Sequence, residues 1–201
     1  MNGISRGLLV AAVLLTPTLC MAQAKEPTRP AKSQFDYTFA EIGYDKHDFD
    51  VEGAPNGIDG DALTFSGSFE LKDRWHLYGS YSNADLDRGI NLDTWTIGLG
   101  YSYPLKKDID LYGRVLYIDT SADFGAASSH DDGLGFQFRV RGRVNPKIEV
   151  EGGLQYIDVA SSDTSLQASV RYYFTREFSA GVGITFGGDA DGLGINARYN
   201  F

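Results

Sequence analysis

The chain has 201 residues, with 27 acidic against 18 basic side chains, a net charge of −9 and one cysteine. That acidity repels phosphate and excludes nucleic acid as a partner, and the length suits a single domain. One cysteine cannot form a disulfide within the chain, so its cohesion has to come from elsewhere.

Residues 1–24 begin with a positive charge at Arg6, continue with an apolar stretch from Gly7 to about Leu19, and end on Ala22-Gln23-Ala24. This is the layout of a secretory signal peptide cleaved after Ala24. Pro17 interrupts the run, which falls short of the ~20 apolar residues of a spanning helix. The bulk of Leu19 argues against lipid attachment at Cys20. Removing 24 residues leaves 177, with no thiol and a charge of −10. Residues 25–34, "KEPTRPAKSQ", are polar and carry two prolines, which predicts a periplasmic N-terminal linker.

From residue 35 to 201 the pattern alternates with a period of two. In "ALTFSGSFEL", Leu63, Phe65, Gly67, Phe69 and Leu71 stand against Thr64, Ser66, Ser68 and Glu70. In "LGFQFRVRGRV", Leu134, Phe136, Phe138 and Val140 stand against Gln137, Arg139, Arg141 and Arg143. Such segments read as strands with one apolar and one polar face. About ten are expected, near 35–46, 60–72, 75–85, 92–104, 108–120, 133–145, 148–160, 164–175, 178–188 and 191–201. The first is irregular: Phe35, Tyr37 and Phe39 share one parity, while Ala40, Ile42 and Tyr44 share the other. Losing it and one other would leave eight.

Short turns carrying Lys72, Arg74, Lys106, Lys107, Lys147 and Arg176 alternate with longer, mostly acidic connections near 46–59, 85–91, 120–132, 160–163 and 187–191. The expected fold is all-β, a closed antiparallel up-and-down transmembrane barrel in an outer membrane. A soluble barrel or sandwich shares the alternation, but three features favour the membrane. Aromatics gather toward both rims: Trp75, Tyr101, Tyr103, Tyr172, Phe174, Phe178, Tyr199 and Phe201 toward the short turns, and Trp95, Tyr117, Phe136, Tyr156 and Phe186 toward the loops. An arginine facing lipid costs about 2–4 kcal/mol, so Arg139 and Arg141 face the lumen.

The polar face is also self-complementary. Folding about Pro146 sets Arg143 opposite Glu149 and Arg141 opposite Glu151. Glu70 faces His76 across the Asp73 turn, Gly98 is expected to face Arg114 and Gly100 to face Tyr112, and Gly181 faces Arg171. With Arg198 on the polar parity of the last strand, these residues form the expected lumen charge network.

The segments "FAEIGYD", "WHLYGSYS", "DTWTIGLGYSY", "DLYGRVLY" and "EVEGGLQY" resemble the small bacterial outer-membrane β-barrel superfamily of opacity-like porins and adhesins, and within it a subfamily labelled sulfation-dependent quorum factor. The resemblance implies that Tyr199 and the terminal Phe201 form a C-terminal insertion signal for the barrel-assembly machinery. It implies outer-membrane lipid and lipopolysaccharide as surroundings. It also implies, as a minor alternative, a secreted or vesicle-borne signalling factor, which nothing in the residues supports.

Other chemistry is sparse. His47 and His130 lie in acidic loops, as in a barrel protease, but the strands read as only long enough to cross the membrane. His76 and Ser80 share a parity without a third group to complete a triad. Asp48, Asp50, Glu52 and Asp59 partly match a calcium loop but lack its final glutamate and flanking helices. The expectation is no enzyme, no metal and no cofactor. The first functional reading is a structural or surface-interaction barrel with a filled, charged lumen and an unidentified extracellular ligand; the second is a narrow channel for ions or small solutes.

Overall fold

The structure, a computed structural model, describes residues 33–49, 58–72, 74–87, 89–125, 127–188 and 190–201. Ten strands follow one another: β1 (Phe39–Phe49), β2 (Ile58–Glu70), β3 (Trp75–Leu86), β4 (Ile90–Lys106), β5 (Ile109–Asp123), β6 (Ser128–Asn145), β7 (Ile148–Val159), β8 (Ser161–Tyr173), β9 (Phe178–Phe186) and β10 (Ala190–Asn200). Each pairs antiparallel with its neighbour in sequence, and β1 pairs with β10 from Phe39 opposite Asn200 to Phe49 opposite Ala190. The sheet is therefore closed, and its backbone donors and acceptors are consumed in the ladder, as a hydrocarbon environment demands.

Alternation puts the apolar parity outside. Every one of the thirteen rim aromatics expected to face lipid is exposed on the barrel's outer surface, as are Phe138 and Val140. At the rim carrying residues 33–38 and Phe201, here the inner rim, rings touch in pairs: Trp75 with Tyr101, Tyr172 with Phe174, and Tyr199 with Phe201, at 5.1–5.2 Å between centroids. Turn cations cover two of these rings, Arg74 over Tyr103 and Lys147 over Tyr172, both at 5.9 Å.

The strands depart from the sequence reading in three places. First, β4, β5 and β6 run to 17, 15 and 18 residues, so the connections at the outer rim shrink to 87–89 and 124–127. About ten tilted residues cross a membrane, so these strands project beyond it, contrary to the expectation that they are only long enough to cross. Second, β4 and β5 meet in a tight turn at 107–108 with a bulge between Pro104 and Lys106. This moves the register by two: Gly98 faces Leu116, Gly100 faces Arg114 and Ser102 faces Tyr112. Third, β1 begins at Phe39, and residues 33–38 are not strand.

The lumen is filled unevenly. Buried Ala62, Ala84, Leu116 and Ile118 close the outer half on the β2–β5 side. On the opposite wall the inward positions of β9 and β10 include Gly181, Gly183, Gly192 and Gly194, and a cavity lies against the last three.

Candidate functional site: the lumen

Inward-facing residues of β6 and β7 build the centre of the site. Arg141 and Glu149 are almost fully buried, at 1% and 2% exposure, and Arg141 Nε donates to Glu149 Oε1 at 2.7 Å. Glu149 Oε2 accepts from Arg143 Nη2 at 3.1 Å and from the Tyr173 hydroxyl at 2.9 Å. One step further out, Arg139 Nη1 donates to Glu151 Oε1 at 2.9 Å, which also accepts from Tyr112 at 2.8 Å, and Arg139 reaches Gln167. Across the bore, Glu41 Oε2 takes Arg171 at 2.6 Å and Arg198 at 2.7 Å. The expected facing pairs 141/151 and 143/149 are in register, yet the short bond of Arg141 runs diagonally to Glu149. Long guanidinium stems follow the strand tilt, so the diagonal partner is within reach.

Five arginines thus share three glutamates, and Arg114 stands apart. Its Nε lies 3.2 Å from His76 Nε2 and its guanidinium packs between the rings of Tyr78 and Tyr112, at 4.3 and 4.8 Å. Gly100 makes this possible, because a Cβ there would lie 2.2 Å from His76 Nε2. Glu70 faces His76 in register, but its side chain is exposed at the rim, and the hydrogen bond of the His76 ring goes to Arg114. Glu41, Asp110, Tyr78, Tyr112 and Tyr173 complete the network, and of these only Tyr112 was named from the sequence, as the residue facing Gly100. Glu41, Asp110 and Tyr112 face Arg198, Arg141 and Arg139 in register, which is the signal that could have found the first two; Tyr78 and Tyr173 face no arginine.

Residues 33–38 cross the bore at its inner end. The Ser33 and Tyr37 hydroxyls both donate to buried Asp110 Oδ2, at 2.5 and 3.2 Å, and Gln34 donates to Asp108. Arg141 Nη1 donates to the Asp36 carbonyl at 3.1 Å, and its guanidinium lies 4.8 Å from the Phe35 ring. Tyr37 stacks on His76 at 4.8 Å and meets Tyr112 edge-on at 5.8 Å. Ser33 and Gln34 belong to the expected linker, yet both are held by side chains of the barrel.

Three hollows lie between these groups and the outer rim. The outermost, about 700 Å³, opens at the rim against His47, Gly60, Leu86, Thr185 and Gly192 on the inward parity and is bordered by Asp48, Asp59, Asp61, Asp85 and Asp191 on the outward one. It shares Thr185 and Gly192 with a lumen cavity of about 160 Å³ against the glycine wall. A second lumen cavity of about 120 Å³ extends down to Tyr37 and Phe39. Glu41, Arg139, Glu151 and Arg198 line both lumen cavities.

Other candidates separate. His47 on β1 and His130 on β6 stand on opposite sides of the ten-stranded ring and build no common site. His130 lies at the exposed tip of the β5–β6 ribbon, 3.4 Å from Asp119 and 3.2 Å from Ser121. Asp48 faces Asp59 across β1 and β2, while Asp50 and Glu52 lie outside the described residues, as do the signal segment and most of the linker. Among the described residues no group of three or more His, Cys, Asp or Glu could hold a metal. Tyr199 and Phe201 point outward in the inner girdle.

Compared with known proteins, the sequence matches the Gram-negative porin family over residues 23–123. The chain belongs to that family. No curated protein matches it in sequence. Among solved structures, this porin is similar to the KdgM porin (11% identity, 80% of this chain and 99% of that one, TM-score 0.48). It is also similar to Neisserial surface protein A (13%, 81% and 96%, TM-score 0.44) and to an outer membrane channel from Pseudomonas putida F1 (15%, 87% and 97%, TM-score 0.48). By its family and its closed ring of ten strands, the porin is a small outer-membrane β-barrel.

Proposed function

We propose that the protein is a narrow channel for ions or small solutes, closed in the conformation described. The observation that carries this reading is the series of hollows from the outer mouth, past Gly183, Gly192 and Gly194, down to Tyr37, divided by side chains that line more than one of them. A closed ladder of arginine and glutamate gives selectivity by sign and excludes solutes much larger than a few waters.

A planar bilayer holding the refolded chain tests the reading, after a gel has established heat-modifiable migration. Discrete steps are expected, with an anion preference that weakens in Arg139→Ala. Gly183→Leu should cut the unit conductance, because a Cβ there meets only ordinary contacts at 3.5–3.6 Å and the rest of the side chain would enter the 160 Å³ cavity. A folded barrel that stays silent even without residues 25–38 would leave the second reading. That reading is a surface-interaction protein using the projecting β5–β6 ribbon, where Ser121, Asp123, Ser128, His130, Asp131 and Asp132 are exposed.

A further inference from the structure

We propose that residues 33–37 are an autoinhibitory plug, bound in a peptide site within the bore and able to leave it while the strands stay intact. As a gate, the proposal rests on the channel reading above. The site has three parts. Asp110 is fully buried and offers one carboxylate oxygen to two hydroxyls of the segment, Ser33 and Tyr37. Arg141 holds the backbone through the Asp36 carbonyl, and with Arg143 it lies over the Phe35 ring, at 4.8 and 5.4 Å. His76 and Tyr112 form the aromatic wall for Tyr37.

Geometry makes this segment an obstruction. It leads into β1, yet its partners lie on β3, two strands away, and on β5 and β6 at the far side of the ring. Extended, residues 33–38 span about 20 Å, enough to traverse the bore. Phe35 and Tyr37 are 5% and 2% exposed, so the inner end of the lumen is filled by them. The innermost cavity ends against Tyr37.

The way the segment is held makes it removable. Strands are fixed by ladders of backbone bonds; residues 33–37 belong to no ladder, and the ties that hold them to the barrel wall are made by side chains of one partner or the other. A corner separates the two regimes. Asp36 Oδ1 accepts the Thr38 N–H at 2.8 Å, while the Thr38 carbonyl accepts the Phe201 N–H at 3.1 Å and its hydroxyl accepts the Glu70 N–H at 3.1 Å. Thr38 is therefore anchored to the wall on both sides, and motion of the preceding residues stops there.

The test pairs two readouts on the chain lacking residues 1–24. In planar bilayers, the double variant Phe35→Ala/Tyr37→Ala and the single variant Asp110→Asn should each raise open probability about tenfold or more, since each removes contacts to a charged buried partner. A synthetic hexapeptide of sequence SQFDYT should then block the double variant. Independently of current, Ser66→Cys places the only thiol in the innermost cavity. Its modification by a small water-soluble thiosulfonate should be slow in the otherwise unchanged chain and at least about tenfold faster with either plug change. Lys147→Cys, in an exposed turn, is the control. Heat-modifiable migration certifies each variant, and Asp110→Asn decides if the double variant does not fold. Faster modification without current in any variant would keep the plug and sink the channel reading. Equal modification rates with and without the plug changes would overturn the proposal, as would equal open probability in all variants that conduct.

Discussion

At the scale of single residues, the lumen is governed by the cost of burying charge. Glu149 is the pivot, because one carboxylate serves Arg141, Arg143 and the Tyr173 hydroxyl. Removing one partner of a buried ion pair leaves the other without compensation and costs about 3–5 kcal/mol. Glu149→Ala is therefore expected to lower stability by about that amount, with Arg143→Ala costing less because Glu149 keeps its bond to Arg141. Urea unfolding in detergent or vesicles, followed by gel migration, measures both. The arginines and their facing glutamates were readable from the hairpin about Pro146. The diagonal choice of Arg141 was not, because register fixes which residues face each other and leaves side-chain reach open. His76 was misassigned to Glu70 for the same reason: the facing residue at a rim can turn to water while the buried ring finds Arg114.

Each strand carries a decision about which face sees lipid, and β6 is the sharpest case. Gln137, Arg139, Arg141 and Arg143 point in, and Phe136, Phe138 and Val140 point out. Phe138→Arg is expected to destabilise the folded barrel by about 2–4 kcal/mol, whereas Gln137→Arg, on the lumen parity, should cost much less. A vesicle-based unfolding titration of the two side by side checks this. Alternation located all ten strands, but it could not see where they end. At the outer rim, polar residues on both parities of β5 and β6 look like loop in sequence, although the ladder continues through them. The β4–β5 register was lost to a bulge, which leaves no mark in hydrophobic periodicity. The plug carried a legible mark: the aromatic parity of 35, 37 and 39 flips at Ala40. An extended segment inside the bore alternates as a strand does, and only the change of phase tells that its aromatics face inward.

For the whole molecule, closure and charge layering matter most. The seam between β1 and β10 joins residues more than 140 positions apart, as Phe39 with Asn200, so its rungs carry the largest loop-closure cost in the sheet. Aspartates on the outward parity ring the outer rim and the arginine-rich bore lies beneath it, so fixed charge of opposite sign is stacked along one axis. In a conducting pore such stacking acts as a bipolar junction. One polarity of voltage draws mobile ions toward the boundary between the layers, and the other sweeps them away from it. The current through the open pore should therefore rectify. A current–voltage curve recorded in symmetric salt would be asymmetric about zero, and neutralising Asp48, Asp59 and Asp61 together should straighten it.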